Sequence, residues 1–134
     1  GFYARIFARE GAEVVGVEID KRHAGFGQIV NKLERVNFKI IQDDFLAINE
    51  GKFDIGIILT VLYHFLNEPD KLYQFLHKID RCVTRVLFWE SVDNPQVEKE
   101  LILNNTGFNK YEQLAITIGT GKVRELGVFL KTNS

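Results

Sequence analysis

The sequence predicts an α/β fold built on a doubly wound, mostly parallel sheet that closes with an antiparallel hairpin. Three observations predict it. Short β-branched runs alternate with segments of helical periodicity along almost the whole chain. The first of these runs are continuous rather than alternating, the pattern of parallel strands covered on both faces. Two β-rich runs stand side by side near the end, separated only by glycine punctuation. Strand followed by helix followed by strand implies right-handed crossovers with helices on both faces.

The chain opens on a short helix, Ala4 to Arg9, where Ile6, Phe7 and Ala8 sit among charges and Gly11 supplies the stop. Glu13 to Glu18 is the first strand. Lys21 to Arg35 reads as a helix with Ile29, Val30 and Leu33 on one face, weakened in its first half by Gly25 and Gly27. Asn37 to Gln42 is the second strand, through Phe38, Ile40 and Ile41, and Phe53 to Thr60 the third and most apolar. Asn67-Glu68-Pro69-Asp70 offers an N-cap, a proline in the first turn and an acid at the positive helix end. Leu72, Phe75, Leu76 and Ile79 then recur at i, i+3, i+4 and i+7 as a core stripe, with Lys78 and Arg81 at the other end. Arg85 to Glu90 is the fourth strand and Pro95 to Asn105 a helix closed by Gly107. Leu114 to Ile118 and Val123 to Lys131 form the hairpin around Gly119-Thr120-Gly121-Lys122.

At 134 residues the chain is one domain, 1–134, by length. Lys plus Arg total 17 against 18 for Asp plus Glu, a net charge of -1, which removes any strong sequence-independent grip on nucleic acid. Cys82 is the single cysteine, and no Cys/His cluster has zinc-ligand spacing, so no metal and a reducing, cytoplasmic setting are expected. The apolar run Ile55 to Leu62 is far shorter than the roughly 20 residues of a membrane helix. There is no methionine, and Gly1-Phe2-Tyr3-Ala4-Arg5 reads like the inside of a fold, so the domain is expected to be incomplete at its N-terminus.

In open α/β sheets ligands sit at the carboxyl ends of the strands. Glu18 ends its strand near the offset of about 20 residues at which a carboxylate accepts from a ribose diol. A solvated acid at a strand end is the plainer alternative, and Asp20 is its understudy. Asp43-Asp44-Phe45 follow the next strand, where an acid can accept from an exocyclic amine and a ring can stack on a purine; Asp pairs also start turns and cap helices. Thr60-Val61-Leu62-Tyr63-His64-Phe65 is unusually apolar for a loop and should be covered, either by the next helix or by a planar ligand. His64 there is a structural histidine or an acid-base group working near neutral pH. Other signals fail: Gly119-Thr120-Gly121-Lys122 lacks the first glycine and the hydroxyl of a phosphate loop, and Gly25-Phe26-Gly27 has Val30 where a third glycine is needed. His23, His64 and His77 share no ligand spacing.

Taken together, Gly1-Phe2-Tyr3-Ala4, Glu13 to Glu18, Gln42-Asp43-Asp44-Phe45, Phe53-Asp54-Ile55 and Thr60-Val61-Leu62-Tyr63-His64 resemble, in order and spacing, the class I S-adenosylmethionine-dependent methyltransferases. The resemblance implies a Rossmann-like sheet of order 3-2-1-4-5-7-6 with strand 7 antiparallel, here lacking strand 1 and most of the glycine-rich motif. It implies S-adenosylmethionine as cofactor. Gly1 would be the last glycine of that motif, Glu18 the acid on the ribose hydroxyls with Ile19 beside it, Asp44 and Phe45 the flanks of the adenine, and Thr60 a neighbour of the methionine part. Any acid-base role would fall to His64. The Asn-Pro-Pro-Tyr type motif of amino-methylating DNA enzymes is absent, which lowers a nucleobase amine as acceptor and keeps a small metabolite, a lipid-like acceptor or a modified RNA base open, with Trp89-Glu90-Ser91 and Arg124 able to face it. The rivals are a nicotinamide-binding oxidoreductase domain, which shares the acid after the second strand, and a non-catalytic methyltransferase-like fragment.

Overall fold

The computed structural model describes residues 2–36, 38–49, 51–119 and 121–133. The chain forms two compact units, residues 1–49 and 50–134, each described here by itself.

The first unit holds α1 (Phe2–Arg9), β1 (Val15–Glu18), α2 (Lys21–Glu34), β2 (Lys39–Gln42) and a 3-10 turn, Phe45–Ala47. β1 and β2 pair in parallel, with Val15 opposite Lys39 and Glu18 opposite Gln42. All four β1 residues are half-buried, so the strand is not the fully covered one its apolar run suggests; among the described residues it pairs with β2 alone. α2 starts where predicted. Asp20 is its N-cap, accepting from the amides of Arg22 at 2.8 Å and His23 at 3.2 Å, and Arg35 ends it in the left-handed region at φ 54°. Gly27 has a positive use: a Cβ there would meet Ile40 Cδ1 at 3.1 Å, so the missing side chain lets the helix lie against β2. The expected apolar face is corrected. Ile29 and Leu33 are 57% and 79% exposed, Val30 is half-buried, and the helix buries Ala24 and Asn31 instead. Helical spacing gives a face its width but not its partner.

The second unit carries β3 (Phe53–Leu59), a 3-10 turn (Leu62–Phe65), α3 (Pro69–Cys82), β4 (Val83–Glu90), α4 (Pro95–Asn105), β5 (Lys110–Gly119) and β6 (Lys122–Leu130). Its sheet has the order β3-β4-β6-β5, with β3 and β4 parallel and β6 antiparallel to both of its neighbours. The hairpin that closes the chain therefore brings an antiparallel strand, β6, into the sheet, as expected. Leu72, Phe75, Leu76 and Ile79 are all buried, and the core continues through Val83, Leu87, Trp89, Ile102, Phe108 and Phe129. Gly56 sits where a Cβ would meet Val83 Cγ2 at 2.6 Å, which keeps β3 close to the start of β4. The Tyr111 ring fills the space that a side chain at Gly127 would need.

Within Asn67-Glu68-Pro69-Asp70 the N-cap of α3 is Glu68, which makes no side-chain cap bond; Pro69 at the first position needs no amide acceptor. Two boundaries differ from expectation. β4 begins two residues early, at Val83, because the chain passes from helix to strand without a loop. β5 begins at Lys110, since Lys110 to Gln113 pair with β6 although their composition is polar, and the register shifts between Gln113 and Ala115. Asn37 and Thr120, at one strand start and at the hairpin tip, lie outside the described residues. No helix among the described residues is long and apolar enough to cross a membrane.

Candidate functional site

In the first unit the parallel register brings the acids to one edge. Glu18 and Gln42 are opposite each other, so Glu18, Ile19, Asp43 and Asp44 all follow the carboxyl end of the same two-stranded sheet. Two hydrogen bonds lock that end: Asp43 N donates to Glu18 O at 3.1 Å, and Gln42 Nε2 to Ile19 O at 2.9 Å. The Glu18 carboxylate is half-exposed, with Oε1 at 3.0 Å from His23 Nδ1. Ile19 beside it is 64% exposed, an apolar side chain in water at a strand end. Asp44 Oδ1 accepts from Leu46 N at 3.0 Å and caps the 3-10 turn, the plainer of the two roles its sequence allows; Phe45 is half-buried. The amides of His23 and then Arg22 hold the Asp20 carboxyl below its ordinary range, so Asp20 is committed to capping α2.

In the second unit the corresponding edge is the carboxyl end of β3 and β4. Thr60 has a positive φ of 55°, a strained setting for a β-branched residue, and its N–H donates to Glu90 O at 3.1 Å. The expected cover over Thr60 to Phe65 is only partial. Leu62 is buried and Phe65 stacks on Phe75 at 4.7 Å, while Tyr63 and His64 are exposed and lie against each other at 4.0 Å between ring centroids. His64 has no side-chain hydrogen bond or ion pair among the described residues. Glu90 stands 3.9 Å from Arg124 Nη1, and the buried Arg124 Nε has no hydrogen-bond partner. Gly1 lies outside the described residues. No group of three His, Cys, Asp or Glu side chains among the described residues is placed to hold a metal.

Sequence reasoning missed a polar cluster behind this edge. The wholly buried Glu98 accepts from Trp89 Nε1 at 3.1 Å and Val92 N at 3.2 Å, and burial raises its pKa. Glu125 takes the Tyr111 hydroxyl and stands 3.0 Å from Lys99 Nζ, while its amide donates to Ser91 Oγ at 3.0 Å. Burial, then the neighbouring Glu125, pushes the Tyr111 hydroxyl well above its usual range. Nothing in the sequence marks Glu98, because helix periodicity does not say which polar position faces a tryptophan from another element. The sequence reading also missed His23 as a partner of Glu18; the one signal for it is its place as the third residue after the Asp20 cap, from which side chains reach back past the helix start.

The family model of the methyltransferase domain matches residues 1–85. The chain belongs to the methyltransferase-domain family. Solved structures agree on the fold. The magnesium protoporphyrin IX methyltransferase of Synechocystis PCC 6803, with bound SAM, is 18% identical with a TM-score of 0.79 over 98% of this chain and 65% of its own. The N-methyltransferase NodS of Bradyrhizobium japonicum WM9, in complex with S-adenosyl-L-homocysteine, is 13% identical with a TM-score of 0.68, covering 96% of this chain and 73% of its own. The tRNA (uracil-54, C5)-methyltransferase of Pyrococcus abyssi, also with S-adenosyl-L-homocysteine, is 14% identical with a TM-score of 0.71, over 97% of this chain and 32% of its own. This chain thus spans about two-thirds of the first of these proteins. No curated protein matches it in sequence.

Proposed function

We propose that this chain acts as an S-adenosylmethionine-dependent methyltransferase domain over residues 1–134, working in the cytoplasm on a small molecule or a modified RNA base. The observation that carries the reading is the edge of the first unit, where an acid, an exposed apolar residue and a second acid follow two paired parallel strands. Those residues fit the cofactor. Glu18 Oε2 has no partner among the described residues and can accept from a ribose hydroxyl, as can the free lone pair of Oε1. Ile19 offers an apolar surface, and Asp44 Oδ2 and the Phe45 ring suit the amine and face of an adenine. Thr60 is proposed to border the methionine part, where its left-handed backbone turns the chain away from the strand.

Bound S-adenosylmethionine supplies a methyl carbon activated by a positive sulfur. What the protein adds is alignment, exclusion of water and, for an acceptor that holds its proton tightly, a base. His64 fits that base role, since its ring is exposed and uncommitted. Glu90 and Arg124 are proposed to face the acceptor, Arg124 through its partly exposed guanidinium. Net charge of -1 favours a small acceptor over a grip on an RNA backbone.

The test is titration calorimetry of the full-length protein with S-adenosylhomocysteine, followed by a screen of acceptors for S-adenosylhomocysteine formation. Saturable one-to-one binding with turnover on a member of the panel is expected. Binding without turnover on any acceptor would favour the non-catalytic reading, and no binding at all would overturn the proposal.

A further inference from the structure

Resting on the reading of Glu18 as the ribose acceptor, we propose that His23 is the positioning residue for that carboxylate. A glutamate at a half-exposed strand end turns through three side-chain torsions and presents its oxygens in many directions. A pair of adjacent hydroxyls needs the two oxygens in one plane. His23 restricts them: Nδ1 lies 3.0 Å from Glu18 Oε1, which fixes one oxygen and leaves Oε2 open. The imidazole suits this because its backbone amide is held by Asp20 Oδ1 at 3.2 Å and its ring has only two torsions to lose. Neither neighbouring cation is placed for the task. Arg22 points to Asp20 at 3.8 Å with its side chain 91% exposed, and Lys21 has no ion pair among the described residues.

The pair lies at the surface, with the His23 side chain 73% and the Glu18 side chain 38% exposed, and what distinguishes it is where it sits in the chain. Its two members belong to the strand end and to the first turn of the following helix, so it spans the loop on which Ile19 is presented. Three hydrogen bonds converge on that loop: Glu18 O from Asp43, Ile19 O from Gln42, and Glu18 Oε1 with His23. The first two fix the backbone of the loop and the third fixes the side chain that the ligand meets. The Nδ1–H tautomer of the neutral ring donates to the carboxylate as the imidazolium does, so the orientation does not require a charged histidine.

The experiment is S-adenosylhomocysteine affinity by calorimetry at about pH 8, above the ordinary imidazole range, so that the hydrogen bond is the variable. His23→Ala is expected to weaken binding about three- to tenfold, the size of one lost hydrogen bond. His23→Asn, whose amide nitrogen takes the place of Nδ1, should stay within about twofold of the original chain. In a Glu18→Gln background, which itself weakens binding, His23→Ala should add little. Equal thermal midpoints for the His23 variants will exclude loss of fold as the cause. An unchanged affinity in His23→Ala, a failure of His23→Asn to rescue, or an undiminished His23→Ala loss in the Glu18→Gln background would each overturn the positioning role. If Glu18→Gln itself leaves affinity unchanged, the ribose reading is wrong and the role of His23 falls with it.

Discussion

The Trp89 indole N–H donates to Glu98 Oε1 at 3.1 Å, with both residues wholly buried, so the end of β4 is tied to α4 through a carboxyl group removed from water. Val92 N takes the other oxygen at 3.2 Å, which fixes the chain just beyond Glu90. Glu98→Ala should therefore cost about 3 kcal/mol in urea denaturation, by leaving two buried donors unpaired and a cavity behind them. Burial raises the pKa of Glu98 above its ordinary 4.5, opposed by the bonds from Val92 and Trp89. The folded state then binds this proton more tightly than the unfolded chain. The associated stability is complete below the ordinary value and is lost as pH rises through the folded one, so the penalty of Glu98→Ala should be larger at acidic than at neutral pH.

Asp80 has the opposite sign. Burial alone would raise its pKa, but the Gly107 amide at 2.8 Å and Lys131 Nζ at 2.9 Å outweigh burial and hold it below 3.8. Its stabilisation is present above that ordinary value and lost as pH falls through the folded one. Lys131 also donates to the carbonyls of Asp80 at 2.7 Å and Val83 at 2.9 Å. Lys131→Met should cost about 2 kcal/mol at pH 7 and less in acid, read from denaturation midpoints at the two conditions.

Relief of the Thr60 backbone should be measurable. A β-branched residue at φ 55° costs about 1–2 kcal/mol, and glycine gives back about half of the gain through its unfolded-state entropy. Thr60→Gly is expected to raise stability by about 0.5–1 kcal/mol and to lower turnover, since the loop loses its fixed turn. A lower melting temperature would show that the Thr60 side chain contributes more than its backbone costs.

Removing the proposed ribose acceptor should act on affinity. Glu18→Ala is expected to weaken S-adenosylhomocysteine binding by about 1.5–3 kcal/mol, the range for a hydrogen bond to a charged group. Calorimetry checks it, and an unchanged dissociation constant would remove Glu18 from the site.

His64 should show the reverse division. With the acceptor found by the screen, His64→Gln is expected to lower kcat by about two orders of magnitude, the scale of general-base catalysis, with cofactor affinity within about twofold. Unchanged turnover in a folded variant would make His64 a surface residue and nothing more.

Much of the fold can be read from residue order. The stripe Leu72, Phe75, Leu76 and Ile79 lands in the core because a helix with one strong apolar face has one way to bury it. Parallel pairing of β1 with β2 follows from the intervening helix, and this alone puts Glu18 and Asp44 on one edge. Asp20, read only as an understudy for Glu18, is the α2 cap, because a strand-end acid three residues before a helical amide meets that donor first. The N-terminal half of β5 escaped notice because Lys110 to Gln113 are polar, and their strand state comes from the β6 ladder rather than from their own propensity.

What the sequence alone determined is therefore local and periodic: helix faces, strand runs, the hairpin, the acids after the strands and the family pattern they form. Only tertiary structure decided the rest. It exposed Ile29 and Leu33, buried Glu98 under Trp89, gave Thr60 a left-handed backbone and set His23 against Glu18. Periodicity follows from backbone geometry within one element and so is written in neighbouring residues. Burial, strain and hydrogen-bond partners depend on which other element arrives, and that is settled by packing across distances the local sequence does not record.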